Sequence, residues 1–556
     1  MVTAFALLLA GRPALAQSGT QGMVASVDKL ATDAGVRTLK SGGNAVDAAV
    51  AVALMLGVVD GADAGIGGGC FMLIRRPNGS FVALDGRETA PEKATRDMFI
   101  RKGKAETKLS QTGALASGVP GAVAVYEYAV QHFGHKRFRE LLLPAADLAE
   151  KGFAINQSYA ARLKSVAEEM KQFEAARAIF FKDNEPLRAG DKLKQPDLAR
   201  SYRALAEQGS KWFYREDFAR ATEKWMKSHG GLITWSDFAS YRLIQRDPLR
   251  TTYRGFEIIG FPPPSSGGVH VAEILNILEG FDLKAMNEAD RLHVIAEAMK
   301  LAFADRAHWL GDPNFAKVPR GLLDKKYAAT LAKGISLEHA STVASHGTPP
   351  DWQHDLFKKH TTHFSVADAE GNWVACTATV NTSFGSKVVV PGTGVILNNQ
   401  MDDFSIEPGV KNYFGLVGGE ANAVEPHKRP LSSMSPTIVL KDGKPIVALG
   451  AAGGPKIISQ VAFELVEMLD LGRNAKEAIS ASRIHHQWVP DELVLDRTLP
   501  AALQEELRQK GHKVVEGGMG VSQIVQRLPS GEFLGAADPR GGGTAEGWGS
   551  GNSKSE

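Results

Sequence analysis

Cysteine is scarce. The chain has two in 556 residues, Cys70 and Cys376, which excludes a disulfide-dense scaffold and leaves one disulfide at most. Neither lies in a C-x-x-C motif, so dithiol redox chemistry and thiolate zinc sites have no sequence support, and the bland reading is two small buried hydrophobes. Charge of one sign is lacking too: 64 Lys and Arg against 62 Asp and Glu leave a net +2, and no basic run is interleaved with aromatics, so no nucleic-acid partner is expected. No apolar run is long enough to span a bilayer. The longest internal one, 45–59, carries Asp47 and reads as a buried helix. H-E-x-x-H, G-x-S-x-G and the Walker phosphate loop are all absent, which removes the usual signatures of zinc proteases, α/β-hydrolases and P-loop enzymes. No internal repeat is visible. With 44% hydrophobic and 23% charged residues, the remainder is the composition of a soluble globular enzyme.

Export is expected from the N-terminus. An apolar run over 1–10 leads to Ala14-Leu15-Ala16, an Ala-x-Ala pattern that places signal cleavage after Ala16, although no Lys or Arg precedes Arg12. A periplasmic or secreted location follows. Residues 25–60 read as helical, entered through Gly42-Gly43-Asn44. Gly65 to Gly69 read as a turn of close backbone packing into a strand at 70–74. A strand at 81–85 ends in a loop carrying Arg87. Residues 120–250 are mostly helical in pattern, and 262–268 (Pro-Pro-Pro-Ser-Ser-Gly-Gly) form a stiff turn before another helix. The stretch 338–360 is polar with two prolines and reads as an exposed linker, while 541–556 is rich in Gly and Ser and reads as disordered.

The chemistry concentrates after that linker. Strands at 363–367 and 373–380 flank a turn at 368–372. An unbulged hairpin centred on Glu370 sets Thr361 opposite Thr379, with Asn381 just beyond. Downstream, Lys441-Asp442-Gly443-Lys444 is a type I′ turn signal between strands. Continuing that register sets Ser432 opposite Gly453 and Ser433 opposite Ala452. Two hydroxyls then converge with a glycine turn, and free N–H groups at Gly453 and Gly454 are what an oxyanion hole requires; one such donor is worth roughly 2.7–4 kcal/mol in a transition state.

The order of these pieces carries the assignment: Lys359-His360-Thr361-Thr362-His363-Phe364, then Thr377 to Asn381, Asn398 to Phe404, Arg429 to Pro436 and Gly450 to Gly454. The pattern resembles the γ-glutamyltranspeptidase family of N-terminal-nucleophile hydrolases, over nearly the whole chain after the signal. That resemblance implies an α+β fold, a four-layer αββα sandwich built jointly by two autoproteolytic fragments: a large subunit 17–360 after signal 1–16, and a small subunit 361–556. It implies that Thr361 is the nucleophile and that Thr379 hydrogen-bonds it. Arg87 would clamp a substrate α-carboxylate with help from Ser432 and Ser433. Asp403 and Gln400, with Asn381, would hold the α-ammonium, and Gly453 and Gly454 would form the oxyanion hole. The stretch 408–426 resembles a lid, with Phe414 where an aromatic gate residue, frequently tyrosine, falls. The residue before the cut is His360, where family members show Gln or other residues.

The chemistry is coherent beside the family name. A γ-glutamyl group carries a carboxylate and an ammonium together, so its recognition needs a fixed cation fork and an acid. An N-terminal threonine brings its own base, an α-amine with an unperturbed pKa of about 7.7–8.0. Expected partners are glutathione and other γ-glutamyl compounds, with water, amino acids or dipeptides as acceptors. No cofactor, metal or membrane is called for, and the subunit partner is the chain's own other fragment. The competing readings are three. A metal hydrolase would use His354, His360 and His363, or His485 and His486. A non-enzymatic binding protein of the export pathway is another class. Within the family, an acylase acting on glutaryl or cephalosporin side chains lacks the substrate ammonium that Asp403 and Gln400 would meet.

Overall fold

The computed structural model describes residues 16–350 and 363–549. Two seven-stranded antiparallel sheets stack face to face. The first runs Ala16–Gly19, Phe533–Ala537, Val521–Arg527, Lys444–Ala452, Thr437–Lys441, Phe256–Gly260, Leu249–Tyr253. The second runs Ile244–Arg246, Phe81–Gly86, Gly69–Arg75, Trp373–Thr379, His363–Asp368, Gly22–Ser26, Thr544–Trp548. Each sheet mixes strands from before residue 350 and after residue 363, so neither half of the chain contains a complete sheet.

The layers follow from the two-residue strand period. Phe71, Leu73, Trp373 and Ala375 point inward and meet Ile259, Ile438, Ala448 and Val525 of the facing sheet. Their neighbours Cys70, Met72, Ile74, Val374 and Cys376 point outward and pack under Lys29–Lys40, Ala45–Val59 and Ala122–Phe133. On the far side, Ile258, Val439, Val447, Leu449 and Ile524 pack under Ser266–Leu278, Glu288–Trp309 and Lys456–Leu469. This is the αββα sandwich expected. Among the described residues no helix is long and apolar enough to cross a membrane.

The segment 25–60 is two helices preceded by a strand, because Gly42 (φ 85°) ends the first helix and Asn44 caps the second. The second, Ala45–Val59, is buried throughout. Its Asp47 survives there because its carboxylate accepts the N–H groups of Asn44, His135 and Lys136. Cys70 and Cys376 are both free and buried.

Two expectations are corrected. The tail is not wholly irregular: Thr544–Trp548 is a strand paired with Gly22–Ser26. Its partner lies more than five hundred residues away, which local composition cannot reveal. The register of the second hairpin also shifts. The turn is type I′ in sign, with Asp442 at φ 50° and Gly443 at 73°, but a bulge between Val439 and Leu440 moves the pairing by one, and the strand begins only at Thr437. Ser432 and Ser433 therefore lie outside the ladder, and Ser432 bridges Ser265 instead.

Candidate active site

Thr361 and the junction His360–Thr361 lie outside the described residues. The hairpin leading away from them has the expected register: His363 faces Thr377 and Phe364 faces Cys376. Thr379 ends the second strand. Its Oγ1 accepts the Asn381 N–H at 2.8 Å, and Asn381, at φ 84°, turns its amide to donate to the Asn399 carbonyl at 3.0 Å.

The glycine run at 65–69 sets the height of this strand end. A Cβ on Gly68 would stand 1.9 Å from the Thr379 carbonyl oxygen, and one on Gly67 2.0 Å from that of Ile396. The run is thus close backbone packing, as expected. Asn398 and Asn399 are scaffold: Asn398 bridges Gly67 and Gly118, and Asn399 ties Gln111 to Thr382.

Thr379, Asn381, Asp403, Ser432, Ser433 and Gly454 line one cleft. Four loops and strand ends meet there, which is why residues far apart in sequence share it. Phe414 and Leu416 close it, leaving about 30 Å³, room for a water or two rather than an acyl group. The tip of the loop carrying Phe414 is shaped by Asn412, whose Oδ1 accepts the Phe414 and Leu416 N–H groups, and is tied down by Tyr413 N–H donating to Asp402 at 2.8 Å. Burial pushes the Asp402 carboxyl up to about 6, against the lowering hydrogen bonds from Ser110 and Tyr413.

Gly453 (φ 135°) and Gly454 (φ 59°) form the turn after Lys444–Ala452. Among the described residues neither N–H has a hydrogen-bond partner. A Cβ on Gly454 would lie 2.6 Å from the Phe414 ring, so the loop carrying Phe414 packs directly onto this turn.

Arg87 and Asp403 are paired with each other. Arg87 is fully buried; its Nη2 meets Asp403 Oδ2 at 2.6 Å, its Nη1 meets Glu88 at 3.2 Å and its Nε donates to the Pro430 carbonyl at 3.4 Å. Asp85, buried between Arg429 and Arg246, accepts the Arg87 N–H at 2.9 Å and anchors the loop. Gln400 is 1% exposed, and among the described residues neither its Oε1 nor its Nε2 has a partner; the Ser432 hydroxyl is buried and unpartnered in the same sense. Unsatisfied buried polar groups of this kind are costly and gather where a ligand completes them.

Sequence reasoning missed Arg306. It lies near the end of Glu288–Trp309 and lines the cleft. Burial pulls its guanidinium down to about 10, partly offset by Asp403. Its one sequence signal, a buried position on an otherwise apolar helix face, is visible only once that helix is packed.

Of the histidines considered as metal ligands, the three described ones are engaged otherwise. His354 and His360 lie outside the described residues. His363 contacts Ser365 at 2.7 Å and Thr377 at 3.3 Å, and burial pulls its pKa down to about 3. His485 bonds Ser459 and Gln487, and His486 bonds Asp491. His293, Glu297 and His512 do cluster, but His293 and His512 hydrogen-bond each other at 2.8 Å and Lys300 sits on Glu297 at 2.8 Å.

Comparison with known proteins bears on the whole chain. The model of the Gamma-glutamyltranspeptidase family matches residues 31–548. The glutathione hydrolase proenzyme of Escherichia coli K12 is 47% identical over 526 residues, covering 94% of this chain and 90% of that protein. Among solved structures, the cephalosporin acylase of Bacillus halodurans superposes with a TM-score of 0.88 at 29% identity, covering 99% of this chain and all of that one. The Helicobacter pylori gamma-glutamyltranspeptidase chain superposes with a TM-score of 0.55 at 43% identity, covering 56% of this chain and 90% of that one.

Proposed function

The chain belongs to the γ-glutamyltranspeptidase family, and from that membership we propose that it is a self-cleaving glutathione hydrolase and γ-glutamyltransferase. The observation that carries the reading is the cleft itself, where Asp403, Arg306 and two serine hydroxyls stand beside a glycine turn whose N–H groups have no partner among the described residues, with Arg87 paired to Asp403 behind it. Those are the groups a γ-glutamyl donor demands: a carboxylate site, an ammonium site and an oxyanion site.

The proposed sequence of steps is acyl transfer. In the precursor the Thr361 hydroxyl attacks the His360 carbonyl carbon; the peptide C–N bond breaks to an ester, and water releases a large fragment 17–360 and a small fragment 361–556. The new α-amine then takes the Thr361 hydroxyl proton as the oxygen attacks the substrate γ-carbonyl. Gly453 and Gly454 N–H groups receive the oxyanion. Collapse breaks the γ-amide bond, and the leaving amine takes the proton from the α-ammonium. Water or an acceptor amine then resolves the γ-glutamyl ester. Thr379 steadies the nucleophile. Arg87, Ser432 and Ser433 take the α-carboxylate; Asp403, Gln400 and Asn381 take the α-ammonium, with Asp403 exchanging part of its contact to Arg87 for the ligand. The lid carrying Phe414 opens for entry. We also assign 1–16 as an export signal and the periplasm or exterior as the working location; a start at Gln17 keeps most of the edge strand Ala16–Gly19.

A glutaryl or cephalosporin acylase is the second reading, favoured by the likeness to the Bacillus halodurans enzyme. Asp403 weighs against it, because a glutaryl group offers no cation. Turnover of matched γ-glutamyl and glutaryl anilides, with and without a dipeptide acceptor, decides. A preference for the γ-glutamyl donor, raised by the acceptor, supports the proposal; a preference for the glutaryl donor overturns it.

A further inference from the structure

Arg306 is a buried cation that shares its cleft with Asp403 but makes no ion pair with it. Among the described residues no carboxylate lies within ion-pair distance of it, although it is 4% exposed and lines the cleft. Leaving a guanidinium unpaired in such a place is unfavourable unless a ligand supplies the anion. Its hydrogen bonds run one way. Nε donates to Ser266 Oγ at 2.9 Å, and Nη2 donates to Ser433 Oγ at 3.2 Å. Since Ser266 Oγ accepts from Arg306, its one proton goes to the Ser432 carbonyl, which also accepts the Ser266 N–H at 2.9 Å. A single guanidinium therefore holds both members of the serine pair: Ser432 by its carbonyl through Ser266, and Ser433 directly by its hydroxyl.

The consequence is a direction for two protons. Ser433 Oγ already accepts, so its own hydrogen is free to donate elsewhere. Among the described residues Ser432 Oγ is buried with no partner and is likewise free to donate. Two hydroxyl donors thus line one small cleft with a positive charge behind them, whereas each nitrogen of the Arg87 guanidinium already has a partner in Asp403, Glu88 or the Pro430 carbonyl. We propose that Arg306 is the positioning residue that makes Ser432 and Ser433 selective for acyl donors carrying an α-carboxylate, acting through the serines rather than by touching the reacting atoms. The inference rests on the acyl-transfer reading above and deepens it.

The test uses the mature enzyme and two anilides, γ-glutamyl and 4-aminobutyryl; the second keeps the amine and lacks the α-carboxylate. Arg306→Gln should lower the kcat/KM ratio of the first over the second at least tenfold, mainly through KM. Ser433→Ala should do the same, and the double variant should fall well short of the product of the two single effects, because they break one chain of contacts. Arg306→Lys keeps the charge but cannot reach Ser266 and Ser433 together, so it should restore only part of the ratio. An unchanged ratio, equal losses on both donors, or independent effects in the double variant overturn the inference. Where Arg306→Gln remains uncut, Arg306→Lys and Ser266→Ala are measured instead; if none of the three matures, Arg306 is a folding residue and the inference fails. A wild type that does not turn over the γ-glutamyl anilide overturns the proposed function instead.

Discussion

Asp403→Asn isolates the contribution of one charge at the centre of the cleft. In the closed structure Asp403 sits 2.6 Å from Arg87, with its side chain 10% exposed and that of Arg87 fully buried. Removing one member of a buried pair costs roughly 3–5 kcal/mol. Glu88, 3.2 Å from Arg87 on the other side, keeps the guanidinium partly compensated, so the lower end applies to the free enzyme. A bound ammonium has no such second acid among the cleft-lining residues and feels the loss in full. A difference of about 3 kcal/mol is more than a hundredfold in kcat/KM for a γ-glutamyl anilide. A glutaryl anilide has no ammonium to strand, and freeing Arg87 Nη2 from Asp403 leaves the fork more open to its carboxylate, so this substrate should lose less than tenfold or gain. The assay is initial rates on both anilides with wild type and variant, after a gel confirms equal maturation. Equal falls on both substrates would show that Asp403 only anchors Arg87, and the account of ammonium recognition would be wrong.

Three further outcomes are expected. Thr361→Ala should remain a single chain without activity, whereas wild type should run as two bands with the smaller beginning Thr-Thr-His-Phe by N-terminal sequencing; a fully active uncut precursor refutes the nucleophile assignment. Gly68→Ala places a methyl carbon 1.9 Å from the Thr379 carbonyl, and overpacking of this kind costs roughly 1–3 kcal/mol, so a lower Tm and slower self-cleavage are expected in a time course of the precursor. His485 is held neutral, its pKa pulled down by burial to about 3, so the unfolded chain binds the extra proton between pH 6.5 and 3; its contribution is present above pH 6.5 and lost as pH falls, at up to about 1.4 kcal/mol per pH unit. His485→Asn should therefore lose less Tm than wild type between pH 7 and pH 4, and parallel curves would refute the assignment.

Much was legible because it is encoded locally. The two-residue alternation at 70–74 and 373–380, the Asn44 cap and the positive-φ turn at Asp442-Gly443 each specify an element from neighbours alone. The ordered motifs after residue 361 carried the family, and with it Thr379, Asn381, Asp403, Phe414, Ser432, Ser433 and Gly454 of the cleft, but not Arg306. What the sequence could not carry are pairings between distant segments. Gly22–Ser26 joins Thr544–Trp548, and a bulge at Val439 slips a ladder that turn chemistry alone would keep in register. The Arg87–Asp403 pair and the Arg306–Ser433 contact likewise depend on where loops come to rest after both sheets have stacked. Charge separation over some three hundred residues of chain has no period and no spacing rule. It is decided by which polar groups are left facing one another once the apolar faces are buried, and that is a property of the packed sandwich rather than of any stretch of its sequence.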